Sequence, residues 1–152
     1  MRTSALFSAV FGFTAVNALI ADLGVPKIIK SGQKFNITGH QTIGQGYRET
    51  MVWFGIQEPS SYPYGPGDMG SIFAGPFDLA QFAGQGYNLT IPNVSFSSSV
   101  KGPATITAVV MGNAGLFQRL SLGTINVATQ IGDSTSKEYN YSNGKGPVCN
   151  WA

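Results

Sequence analysis

The chain has 152 residues, one cysteine and a formal charge of +2, and only 11% of its residues are charged. A single cysteine excludes an internal disulfide framework and a cysteine-based zinc finger. Nine basic against seven acidic residues exclude nucleic-acid or acidic-membrane binding driven by net charge. Twenty glycines, 12% aromatics and abundant Ser and Thr indicate an all-β globular domain rather than a disordered chain.

The first element in chain order is a leader. Arg2 precedes an apolar run from Ala5 to Val16, and the small residues Val16 and Ala18 stand where a signal peptidase reads them, which places cleavage between Ala18 and Leu19. Ser8, Gly12 and Thr14 interrupt the run, which is shorter than the roughly twenty apolar residues of a membrane span. The chain therefore divides into a leader (1–18), a β domain (19–131) and an irregular, loosely attached C-terminal tail (132–152). Removing 18 of the 152 residues leaves 134, enough for one core, and losing Arg2 lowers the formal charge to +1. The mature product is expected to be a soluble, extracellular glycoprotein, because four Asn-X-Ser/Thr sequons begin at Asn36, Asn88, Asn93 and Asn140.

Beyond the leader, apolar residues alternate with polar ones, the two-residue period of half-buried strands. Phe35 and Ile37 point inward and Asn36 and Thr38 outward. Leu89 and Ile91 alternate with Asn88 and Thr90; after Pro92 the parity flips, with Val94 and Phe96 inward, so Pro92 is expected at a bulge or an edge. Met51–Ile56 and Ala104–Met111 are apolar on both faces, as in covered central strands. Asp22–Ile29, Phe117–Leu122 and Thr124–Ala128 bring the count to about seven strands, the pattern of an immunoglobulin-like β-sandwich with Trp53 available as its core tryptophan; a jelly roll or small barrel also fits.

Pro59–Pro76 is too rich in Pro and Gly for an ordinary strand and reads as a long loop. Its aromatics, with the adjacent phenylalanine, give Tyr62, Tyr64, Phe73 and Phe77 as candidate partner-binding anchors.

Catalytic chemistry is sparse. His40 is the sole histidine, no Gly-X-Ser-X-Gly elbow is present, and no ligand set converges on a metal. Gly84-Gln85-Gly86 and Gly44-Gln45-Gly46 lack the helix and Lys-Ser/Thr of a phosphate loop. No catalytic residue, metal or cofactor is expected, and the reading is a non-enzyme. Cys149 reads as an exposed free thiol supporting a minor disulfide-linked dimer.

Several segments, in order, resemble the fungal necrosis-inducing secreted effector family: Leu23–Phe35, Val52–Ile56, Gly67–Gly70, Ala74–Phe77 and Asn126–Ser136. The resemblance implies a virulence protein of a plant-associated fungus. It would reach host tissue or host cells, suppress plant immunity by engaging receptor-associated kinases, and in some cases provoke cell death. It brings no catalytic or binding residues to transfer. The alternative is a secreted cell-wall or carbohydrate-binding module using Phe54, Tyr62, Tyr64 and Trp151 as stacking platforms. A third is a hydrolase working with Asp68 and Asp78.

Overall fold

A computed structural model describes residues 18–43, 47–58, 64–65, 68–85, 88–114, 119–143 and 148–149. Ten strands occur among them: β1 (Ala18–Pro26), β2 (Ile28–Lys30), β3 (Phe35–Ile43), β4 (Tyr47–Gln57), β5 (Ser71–Asp78), β6 (Asn88–Val94), β7 (Gly102–Ala114), β8 (Arg119–Gly132), β9 (Tyr139–Tyr141) and β10 (Val148–Cys149). A 3-10 turn, Leu79–Gln85, joins β5 to β6. The strands form a four-stranded sheet, ordered β6-β3-β1-β9, and a second one of six strands, in which β10-β8-β7-β4-β5 make a continuous five-stranded sheet and β2 is added in parallel to β8. This is the immunoglobulin-like sandwich that the alternation predicts.

Local chemistry explains how the chain enters both sheets. Pro26 has no N–H to continue the β1 ladder, and the Lys27 amide donates to the Glu138 carbonyl at 2.8 Å. At this point the chain leaves the four-stranded sheet, and β2 pairs with the end of β8 in the other. Phe117–Leu122 and Thr124–Ala128 are expected as two strands; their described residues, from Arg119 on, form one continuous strand.

The core is aliphatic and phenylalanine-rich. Ile20, Leu23, Val25, Ile37, Leu89 and Ile91 of one sheet face Val52, Phe54, Ile56, Ile106, Val110 and Ile125 of the other. Phe35, Phe54, Phe73, Phe77 and Phe96 are linked by ring centroid distances of 5.6–6.5 Å. Trp53 is therefore not the core tryptophan: it points away, half-buried, and its neighbour Phe54 is wholly enclosed.

Two further expectations are corrected. The segment read as a loop to Pro76 holds strand β5 from Ser71, antiparallel to β4. Its pairing slips between Val52 and Phe54, where Phe77 and Ala74 are the partners, so β5 carries an extra residue around Gly75, whose φ of 106° suits a bulge. The expected loose tail is docked from Gly132 to Ser142. Ser136 N donates to Ile28 O at 2.9 Å, β9 pairs with β1, and the buried Ser142 accepts from Leu23 N through Oγ at 3.1 Å. These tethers are polar, so a hydropathy pattern does not register them.

Pro92 does lie on an edge strand, and the β3–β6 register slips there, with Asn93 at φ 59°. Both explanations of the parity flip hold.

Candidate functional site

The most distinctive surface is the outer face of the five-stranded sheet. Inward residues alternate with outward ones on β7, on β8 and, past a register slip between Glu49 and Met51, on β4, so strand register fixes which outward side chains are neighbours. One row runs Asp78–Met51–Met111–Leu122 across four strands. The next runs Trp53–Val109–Thr124, and a third runs Ile72–Gly55–Thr107–Asn126. Arg48, Asn113 and Leu120 form the outer row beyond Met111.

Ile72, Leu120 and Leu122 are each more than half exposed, at 62%, 63% and 55%, and Met51, Trp53, Val109 and Met111 between them are half-buried. At about 4.8 Å between strands and 6.7 Å between same-face residues, the apolar area spans about 15 Å each way. At about 225 Å², it is a part of the roughly 800 Å² that a standard protein interface buries on one partner. Arg48 and Asp78 at its margin supply a polar rim. β5 is the outermost strand on this side, with no further strand pairing it among the described residues.

The opposite outer face, on the four-stranded sheet, is polar. Asn36, His40 and Asn88 are exposed there, and the Tyr141 ring lies over Gly24, where a Cβ would come within 2.6 Å of it. A shallow depression of about 310 Å³ opens between Thr38, His40, Asn88 and Tyr141.

Among the described residues, one acidic group is buried between the sheets. Glu49 of β4 is 5% exposed, and its Oε2 accepts a 2.7 Å hydrogen bond from the Ile20 amide of β1. The β1–β3 register slips just beyond that amide, between Ile20 and Asp22. Burial raises the Glu49 pKa to about 7, partly opposed by that hydrogen bond. Exposed carboxylates behave oppositely: Asp133 is held below its ordinary value by the hydrogen bond and charge of Lys101, and Glu138 by those of Lys27.

The sequence-derived site residues fare differently. Phe73 and Phe77 are not loop anchors; they belong to β5 and pack on the core through Phe35, Phe54 and Phe96. Tyr64 is 39% exposed and its hydroxyl accepts from Glu58 N at 3.3 Å; Tyr62 lies outside the described residues. Phe54 is enclosed and cannot stack on a sugar, and Trp151 lies outside the described residues. Asp68 lies three residues before β5 and Asp78 ends it, and each carboxylate is engaged in its own turn: Asp68 Oδ2 accepts from Gly65 N at 2.6 Å and Asp78 Oδ1 from Ala80 N at 2.9 Å.

Ala18 and Leu19 begin β1 opposite Ile43 and Thr42. Asn36, Asn88 and Asn93 are exposed, and Asn140 is half-buried. The backbone of Cys149 pairs with Gly123 on the edge of β8. Among the described residues no cluster of His, Cys, Asp or Glu could hold a metal, and no helix is long and apolar enough to cross a membrane.

The apolar outer face went unrecognised in the sequence, although its signal was there. The runs Met51–Ile56 and Ala104–Met111 are apolar on both faces, as covered strands are, yet their outward Met51, Trp53, Val109 and Met111 are half-buried and only Gly55 and Thr107 are enclosed.

The fold and this face define an all-β immunoglobulin-like sandwich with one polar and one apolar outer surface. Residues 16–130 match the Nis1 family, well over half of the chain, and the protein belongs to that family, which is fungal and of effector type. No curated protein matches the chain.

Proposed function

We propose that the protein is a secreted fungal effector that binds a host protein through the outer face of its five-stranded sheet and thereby suppresses plant immunity. Family membership supports the effector role. The resemblance to necrosis-inducing secreted proteins nominates receptor-associated kinases as the partner class and host cell death as one outcome.

Export would follow cleavage between Ala18 and Leu19, which leaves β1 intact from its second residue. One observation carries the binding surface: Ile72, Leu120 and Leu122 stand exposed around Met51, Trp53, Val109 and Met111 on adjacent strands. An apolar patch of this kind, rimmed by polar residues, marks an interaction site. The work is done by binding rather than by catalysis.

The test is affinity capture of host receptor-associated kinase domains by the mature protein and by Leu120→Glu/Leu122→Glu. Capture by the wild type and its loss in the variant, with unchanged circular dichroism, is expected. Equal capture by both would rule out this face, and no kinase captured by either would rule out the partner class.

A further inference from the structure

The four sequons are scattered in sequence but not in space. Asn36 lies on β3, Asn88 and Asn93 on β6 and Asn140 on β9, all strands of the four-stranded sheet. The described strands of the five-stranded sheet contain none.

N-linked sugar is attached to the side-chain nitrogen before folding is complete, so the sequon permits attachment and the fold decides whether the sugar is tolerated. The four amides differ in how the fold uses them. Asn36 is exposed on the outward face of β3, and its oxygen accepts the Asn93 backbone N–H at 3.2 Å, which leaves its nitrogen for a sugar. Asn88 is exposed where β6 begins, opposite His40. Asn93 is exposed on the bulge of the same edge strand, at φ 59°. Asn140 differs: its Nδ2, the atom that would carry the sugar, donates to the Ala128 carbonyl at 2.9 Å and ties β9 to the side of β8. Lys27, Ile28 and Gln130 line the same open groove, of about 520 Å³, so it is this hydrogen bond, not lack of space, that sets Asn140 apart.

We infer that Asn36, Asn88 and Asn93 are the N-glycan acceptors and that Asn140 is not, so that sugar covers the four-stranded sheet and its β6 edge and leaves the apolar sheet bare. An edge strand offers unpaired backbone groups to other chains, and a glycan at Asn88 or Asn93 blocks that approach as Pro92 does. The assignment rests on entry into the secretory pathway as proposed above.

The experiment is glycosite mapping of the protein secreted from yeast, by peptide-N-glycosidase release in heavy-oxygen water. One arm uses the full chain and a second replaces residues 1–18 with a foreign cleavable leader. Heavy-oxygen label at Asn36, Asn88 and Asn93 but not at Asn140 is expected in both arms. Label in the second arm alone would overturn the native leader and leave the site assignment standing. Label at Asn140 in folded secreted protein, or its absence from the other three in the second arm, would overturn the assignment. As a second measurement, Asn140→Gln should keep all three glycans and melt at a lower temperature, whereas Asn88→Gln should lose one glycan and melt unchanged.

Discussion

The two sheets have inner faces of the same chemistry and outer faces of opposite chemistry. Inward, both present aliphatic and aromatic residues that close on one another. Outward, the four-stranded sheet carries Asn36, His40, Asn88 and Tyr141, and the five-stranded sheet carries Ile72, Leu120 and Leu122 around Met51 and Trp53. A fold needs only the inner faces to be apolar. Apolar residues outside add nothing to the core, so their concentration on one sheet calls for a role other than stability.

The largest expected effect comes from the interior that the sheets share. Phe54→Ala removes a fully enclosed ring that contacts Phe73 and Phe77, and should lower stability by about 3–5 kcal/mol in chemical denaturation. Probes on the two sheets should unfold together; separate transitions would mean that the faces belong to independent units.

Glu49 links the sheets, and its effect is pH-dependent. Its carboxyl keeps a proton in the fold up to about 7, whereas an unfolded chain releases it near the ordinary value of 4.5. The folded state therefore binds more protons between those values. Stability should be highest at or below pH 4.5, fall by about 3 kcal/mol as pH rises to 7, and level off above. Glu49→Gln keeps an oxygen for the Ile20 amide, so it should flatten this component and be more stable than wild type at pH 8. Denaturation midpoints across pH 4–8 check it.

Ser142→Ala tests the four-stranded sheet alone. It removes a buried hydroxyl that accepts from Leu23 N and donates to Asp22, and should lower stability by about 1–2 kcal/mol. Amide exchange should quicken in β9 and leave β7 and β8 unchanged.

How much of this was legible in the sequence depended on which force made each element. Where one face is buried and the other wet, the period-two pattern is written in the residues, so Phe35–Thr38 and the parity flip at Pro92 were readable. Strand β5 was not, because its inward Phe73 and Phe77 are interrupted by Gly75 and Pro76, which bulge the strand without ending it. Met51–Ile56 gave no parity, since both of its faces are apolar; only the neighbouring strands show that Phe54 is enclosed and Trp53 is not. The docking of 132–142 uses Ser, Thr and Asn hydrogen bonds to distant backbone, and the inward position of Glu49 goes with a register slip in β4; neither leaves a local trace. The sequons were legible one by one, but their gathering on one sheet depends on strand order.

The smallest expected effect on stability accompanies the largest expected effect on binding. Leu120→Glu/Leu122→Glu changes exposed side chains and should shift stability by no more than about 1 kcal/mol. The most direct test of the division between the two faces is the affinity of the glycosylated mature protein for a captured host kinase domain, measured beside this variant and Asn36→Gln. The double variant should bind at least about tenfold more weakly, as loss of interface anchors does, and Asn36→Gln should bind as the wild type does. Unchanged binding in the double variant, or loss of binding in Asn36→Gln, would place the partner on the sheet assigned here to sugar.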